Sequence, residues 1–181
     1  MKSIGMIAVL VSSVFLLAGN ATAQERANDE PRVSPNAEVS QTIGTTEVYV
    51  TYGRPSVNER EIFGGLEPFD VVWRTGANEA TTISFSDDVV IEGETLEEGI
   101  YGLFTIPGED GQWTIIFNNV SEQWGAFNYE DSEDVLRVEV NAEDSHFLEQ
   151  MMIYFEDVTE SSANLVIHWD ETKVPVQIET N

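Results

Sequence analysis

Short runs of alternating apolar and polar residues follow one another along most of this chain, and glycine, proline, asparagine or aspartate closes nearly every run. In residues 47–52, Val48, Val50 and Tyr52 fall on one face and Tyr49 and Thr51 on the other. Successive side chains of a strand point to opposite faces, so this period of two predicts a half-buried strand. The same reading predicts strands at 39–43, 71–73, 80–85, 89–91 and 100–106, the last closed by Pro107-Gly108. Glu109-Asp110-Gly111 makes a hairpin into 113–117, where Trp113, Ile115 and Phe117 share a face. Leu136, Val138 and Val140 point inward from 135–140, and strands at 151–155, 163–169 and 173–178 end the domain. One short helical turn is expected within 142–149. About ten strands with little helix predict an all-β domain, an antiparallel β-sandwich of the jelly-roll kind. A closed barrel is the alternative, which periodicity does not separate from it.

Two connections are long for a compact β domain, 55–68 and 118–134, and loops of this length tend to be functional or disordered. Ile62, Phe63 and Leu66 argue against disorder in the first, because they need something to pack on. The second carries Trp124, Phe127 and Tyr129 among polar residues.

The N-terminus reads as an export signal over 1–23: Lys2, an apolar run from Ile4 to Ala18, then Ala21-Thr22-Ala23 as the cleavage pattern. The apolar run is too short to span a bilayer. The mature chain is therefore expected to start at Gln24, to be periplasmic or extracellular, and to insert in no membrane after cleavage. Residues 24–33 read as a disordered linker and 34–180 as a single domain. Cysteine is absent, so the core must hold without disulfides.

Formal net charge is −25, from 8 Lys/Arg and 33 Asp/Glu. Nucleic acid and anionic membranes need a basic face, so neither is an expected partner. The acidity fits a solvated surface or a saline habitat.

The same composition narrows the chemistry. Two histidines and no thiol exclude a Cys/His zinc site, and no loop has EF-hand spacing, so no metal and no cofactor are expected. There is no Gly-x-Ser-x-Gly elbow and no phosphate-binding glycine loop; Gly64-Gly65 lacks the spacing and the lysine. Carboxylate pairs are too abundant to single one out. Positive charge gathers in one place, the segment 54–85. There Arg54, Arg60 and Arg74 sit at strand ends or in the loop between strands, with Trp73 and the polar turn from Thr75 to Asn78 and Glu79. Guanidinium forks suit carboxylate, phosphate or sulfate groups, and Trp73, Trp124 and Tyr129 offer flat apolar surface. The structural alternative has the arginines pairing with nearby acids and pinning the loop.

The pieces SPNAEVSQTIG, VTYGRPSVNEREIFGGLEPFDVVWRTGANEATTISFS, LEEGIYGLFTIPG, WTIIFN, QWGAFNY and DVLRV resemble the bacterial exported family called domain of unknown function 2911 (DUF2911). The resemblance covers nearly all of 34–178 and implies that Arg54, Arg60, Gly64, Gly65, Trp73, Arg74, Gly76, Asn78 and Glu79 belong to the family's signature. Similar proteins often carry lysines where this chain has acids, as at 92–98, which points to an environmental cause for the acidity. The name carries no chemistry.

Three functions are then open. The first is a non-enzymatic module binding a small anionic or sugar-like ligand, a small molecule or glycan, at Arg54, Arg60, Trp73, Arg74, Asn78 and Glu79. The second is a hydrolase using Glu79 or His168 as acid/base with Arg74 on the substrate anion. The third is a structural, envelope-associated interaction protein. If the acidity is an adaptation to salt, screening of self-repulsion will raise the unfolding midpoint between low and about molar salt. Chemical denaturation in urea at both salt concentrations measures it, and an unchanged midpoint rejects the adaptation.

Overall fold

In the computed structural model, which describes Arg26 and residues 29–180, the alternation becomes ten strands: β1 (Asn36–Ile43), β2 (Thr46–Gly53), β3 (Thr81–Phe85), β4 (Val89–Ile91), β5 (Glu94–Leu96), β6 (Gly99–Ile106), β7 (Gln112–Asn118), β8 (Asp134–Asn141), β9 (Glu143–Glu156) and β10 (Ser162–Thr180). They form a six-stranded sheet, β1-β2-β3-β6-β7-β8, and a four-stranded sheet, β5-β4-β10-β9, in which every pairing is antiparallel. The leader expected at 1–23 lies outside the described residues. The two sheets make the sandwich, with the predicted faces inside: Val48, Val50 and Tyr52 of β2 and Trp113, Ile115 and Phe117 of β7 share one core with Leu165, Ile167 and Trp169 of β10.

Three local expectations change. Residues 142–149 hold no helical turn. From Glu143 on they are the first half of β9, paired with β10 from Glu143↔Lys173 onward. Their polar run hid the strand because most of its side chains are exposed. The strands expected at 163–169 and 173–178 are one, β10, which shifts register on both sides of Asp170 (φ 57). Residues 71–73 form no strand; only Trp73 bridges to Thr105.

The long loop after β2 is built into the sandwich. Residues 54–57 run along β9, with Val57 N–H donating to Glu149 O (2.8 Å) and Met151 N–H to Pro55 O (2.9 Å). Ile62 is fully buried, and Phe63 sits edge-on to Trp113 (centroids 4.8 Å apart), Trp73 (5.8 Å) and Trp169 (6.1 Å). Trp73 stacks on Trp169 of the opposite sheet at 5.9 Å and 20°. A smaller core on the outer face of the six-stranded sheet joins Ala80, Phe104 and Ile116 to Ala126 and Tyr129, so the 119–133 connection folds over that face.

Trp73 is 3% exposed. Trp73→Ala is expected to lower the unfolding free energy by about 3–5 kcal/mol in urea titrations, the cost of emptying an aromatic core position. A change within about 0.5 kcal/mol would place the indole outside the core.

Candidate functional site

The turn that follows Trp73 is fixed before any ligand is considered. Trp73 N–H donates to Thr105 O (2.7 Å) and Thr105 N–H to Trp73 O (2.9 Å), clamping the turn to β6. Thr75 (φ 54) and Asn78 (φ 65) lie in the left-handed region, costly for a β-branched threonine. Side-chain bonds hold the strain: Trp73 Nε1 donates to Gly76 O (3.2 Å), Thr75 Oγ1 to Thr105 Oγ1 (3.2 Å) and Thr81 Oγ1 to Thr75 O (2.7 Å). The turn also presses on β2, where a Cβ at Gly53 would collide with the Ala77 carbonyl.

This turn presents Glu79, 8% exposed, on the outer face of the six-stranded sheet. Arg32 grips its carboxylate with both arms of the fork, Nη1 to Oε2 at 2.7 Å and Nη2 to Oε1 at 3.0 Å. Arg26 Nη1 adds a longer contact to Oε2, 3.4 Å. Burial alone pushes the carboxyl up, but hydrogen bonds from Arg32 and its own backbone, with both guanidinium charges, hold it below the ordinary range. Burial pulls Arg26 down to about 10 against the pull of Glu79, so it stays charged at neutral pH.

The three arginines singled out in the sequence share one feature. Each donates its Nε to a backbone carbonyl: Arg54 to Met151 O (2.8 Å), Arg60 to Val57 O (3.0 Å) and Arg74 to Gly76 O (3.2 Å). Arg60 adds Nη2 to Ser56 O at 2.6 Å. Arg54 is therefore held on β9, while Arg60 and Arg74 both act on Glu67. Burial pushes the Glu67 carboxyl up to about 7 in spite of them. Asn78 is fixed at both ends: Nδ2 donates to Ser34 O (3.1 Å) and its carbonyl accepts Gly125 N–H (2.9 Å). Arg74, Asn78 and Glu79 thus share one turn, and Trp73 lies in the core beneath them with no free face.

His168 does not join them. Ile167 and Trp169 on either side of it point into the core, so His168 faces out of the four-stranded sheet. There it is 1% exposed, its Nε2 lies 3.0 Å from His146 O, and burial, with His146 and Lys173, lowers its affinity for a proton. Glu79 lies across the core, because its partner Arg26 also contacts Thr51, which projects outward between core residues Val50 and Tyr52. A hydrolase built from Glu79, Arg74 and His168 in one cleft is therefore not assembled.

Sequence reasoning missed four participants. Arg26 and Arg32 fall in the stretch read as a linker, although two of the chain's few basic residues within ten positions were a signal to weigh. Phe127 (80% exposed) lies beside the turn with Trp124 (55% exposed); Glu79 bridges to Trp124, and Gly125 lies against Arg74 Nη1. Glu67 was hidden among the other acids. Among the described residues, no three His, Cys, Asp or Glu side chains are grouped to hold a metal ion.

The folded Glu67 carboxyl titrates above its unfolded value, so the folded chain keeps a proton that the unfolded chain gives up. Stability should fall as pH rises from the ordinary carboxylate range to about 7, and Glu67→Gln should flatten that fall. Thermal melts of both proteins at about pH 5 and about pH 8 test this, and equal losses would mean that Glu67 ionises freely.

No curated protein and no solved structure matches the chain. Residues 34–178 match the family described as a protein of unknown function, DUF2911, which takes in Glu79, Arg74 and Trp124 but begins after Arg26 and Arg32. The chain belongs to that family.

Proposed function

We propose that this protein is a non-enzymatic binding module, exported from the cell, whose ligand is a small anionic or sugar-like molecule held over Arg74. The observation that supports it most is the exposed aromatic pair. Trp73, Trp113 and Trp169 are all buried, whereas Trp124 and Phe127 stand in solvent beside the one turn that carries Arg74 and Asn78. An exposed ring stacks on the apolar face of a sugar, and a guanidinium pairs with a carboxylate through its Nη donors, which in Arg74 make no hydrogen bond among the described residues. The aromatic surface is thus supplied by Trp124 and Phe127 in place of Trp73, and Arg54 and Arg60 serve the loop.

An enzyme reading finds little support at Glu79, whose carboxylate is kept ionised by two guanidinium groups. Glu67 is better suited to proton transfer, since its carboxyl is pushed up to about 7 beside Arg74 and Arg60.

Glucuronate and galacturonate, each titrated into the mature protein and followed by calorimetry, are the first probes. Saturable binding is expected, weakened about tenfold or more by Trp124→Ala and by Arg74→Lys, a loss of about 1.4 kcal/mol. No saturable response to either probe, or one unchanged in both variants, overturns the assignment. Turnover of a glycoside of either acid that Glu67→Gln abolishes would make it an enzyme.

A further inference from the structure

Arg26 is enclosed by oxygen acceptors. Arg26 is 6% exposed. Its Nη2 donates to three backbone carbonyls, Ala80 O at 2.6 Å, Glu79 O at 3.2 Å and Thr51 O at 3.3 Å. Nη1 reaches Glu79 Oε2 at 3.4 Å, and Nε reaches Thr51 Oγ1 at 3.5 Å. Thr51 Oγ1 is itself held by the Thr82 hydroxyl at 2.8 Å. Each of the five atoms that Arg26 donates to is an oxygen able to accept. Three of them, the carbonyls, converge on Nη2, while Glu79 Oε2 and Thr51 Oγ1 lie at Nη1 and Nε; a planar cation with donors on three nitrogens spans all five, whereas an ammonium, with its donors on one atom, meets the carbonyls and leaves the other two.

The walls do not depend on the occupant. Thr51 and Thr82 are paired in the β2–β3 ladder, Ala80 N–H donates to Gln123 O (2.9 Å), and Glu79 bridges to Trp124. Arg32 balances the Glu79 carboxylate independently of Arg26. The walls also fall inside the family match, while Arg26 precedes it in the sequence. The domain therefore supplies a finished receptor, and the stretch before it supplies the group that fills it.

We infer that the pocket formed by Thr51, Glu79, Ala80 and Thr82 is a guanidinium-binding site, open to small guanidinium compounds or arginine side chains from solution, with Arg26 as its intramolecular occupant. Such an occupant competes at a high effective concentration, so the site has a low apparent affinity while Arg26 is present and a higher one when it is removed. This site differs from the Arg74–Trp124 face in ligand charge and does not rest on that reading.

The test titrates N-acetyl-arginine methylamide into the mature wild-type chain, Arg26→Ala and the double variant Arg26→Ala/Glu79→Gln, followed by calorimetry. Arg26→Ala is expected to bind about tenfold or more tightly than wild type, and the double variant to lose that gain. The matching lysine derivative should bind Arg26→Ala about tenfold more weakly than the arginine one. If Arg26→Ala proves too unstable for titration, methylguanidinium should raise its melting temperature and leave wild type and the double variant unmoved. Equal responses of wild type and Arg26→Ala, equal binding of the lysine derivative, or no binding and no rescue of Arg26→Ala would each overturn the assignment.

Discussion

The stacking of Trp73 on Trp169 ties the signature loop to both sheets, and the candidate site follows from it. With the indole fixed in the core and its main chain clamped to Thr105, the next residues return to β3 through the left-handed turn at Thr75 and Asn78. That path points Arg74 outward, presses Ala77 onto Gly53 and sets Glu79 at the edge of β3. Core packing therefore determines the chemistry on the surface. Tryptophan and arginine are neighbours in sequence with opposite duties, one buried and one presented.

Strand positions were legible wherever one face met the core and the other met water. Val48, Val50 and Tyr52, or Trp113, Ile115 and Phe117, carry the full signal, and both sets lie where the alternation placed them. The signal fails in β9, whose first half from Glu143 is mostly solvated and held by its pairing with β10, a contact between residues distant in sequence. It fails again at Asp170, where an irregularity inside one strand imitates a turn between two. Of the candidate site, Arg74, Asn78 and Glu79 were readable as a polar turn. Arg26 and Arg32 were not, because nothing local in a polar stretch reveals a carboxylate about 50 residues downstream, and long-range pairing is a property of the folded chain.

The arginines of the 54–85 segment also revise the usual expectation for a strongly acidic chain. With 33 carboxylates available, Arg54, Arg60 and Arg74 nonetheless give Nε to main-chain carbonyls. An irregular loop leaves carbonyl oxygens without the N–H partners that a ladder provides, and buried backbone acceptors have to be satisfied. Guanidinium groups supply part of that need at Ser56, Val57 and Gly76, beside the Arg60 N–H and the Trp73 indole, while Arg54 reaches Met151 O on β9. These side-chain donors add to the packing of Ile62, Phe63 and Trp73 in holding so long a loop without disulfides.

β9 is the outer strand of its sheet, and residues 54–57 lie along its middle, with Pro55 accepting from Met151 and Arg54 bonded to the same residue's carbonyl. An uncovered strand edge is a template for pairing with another chain, and many proteins guard it with charge alone. Charge is weakened by dissolved ions, whereas a covering segment that includes a proline is not. The middle of this edge therefore resists aggregation by obstruction, a defence that keeps its strength in brine, where the acidic surface around it loses most of its repulsion.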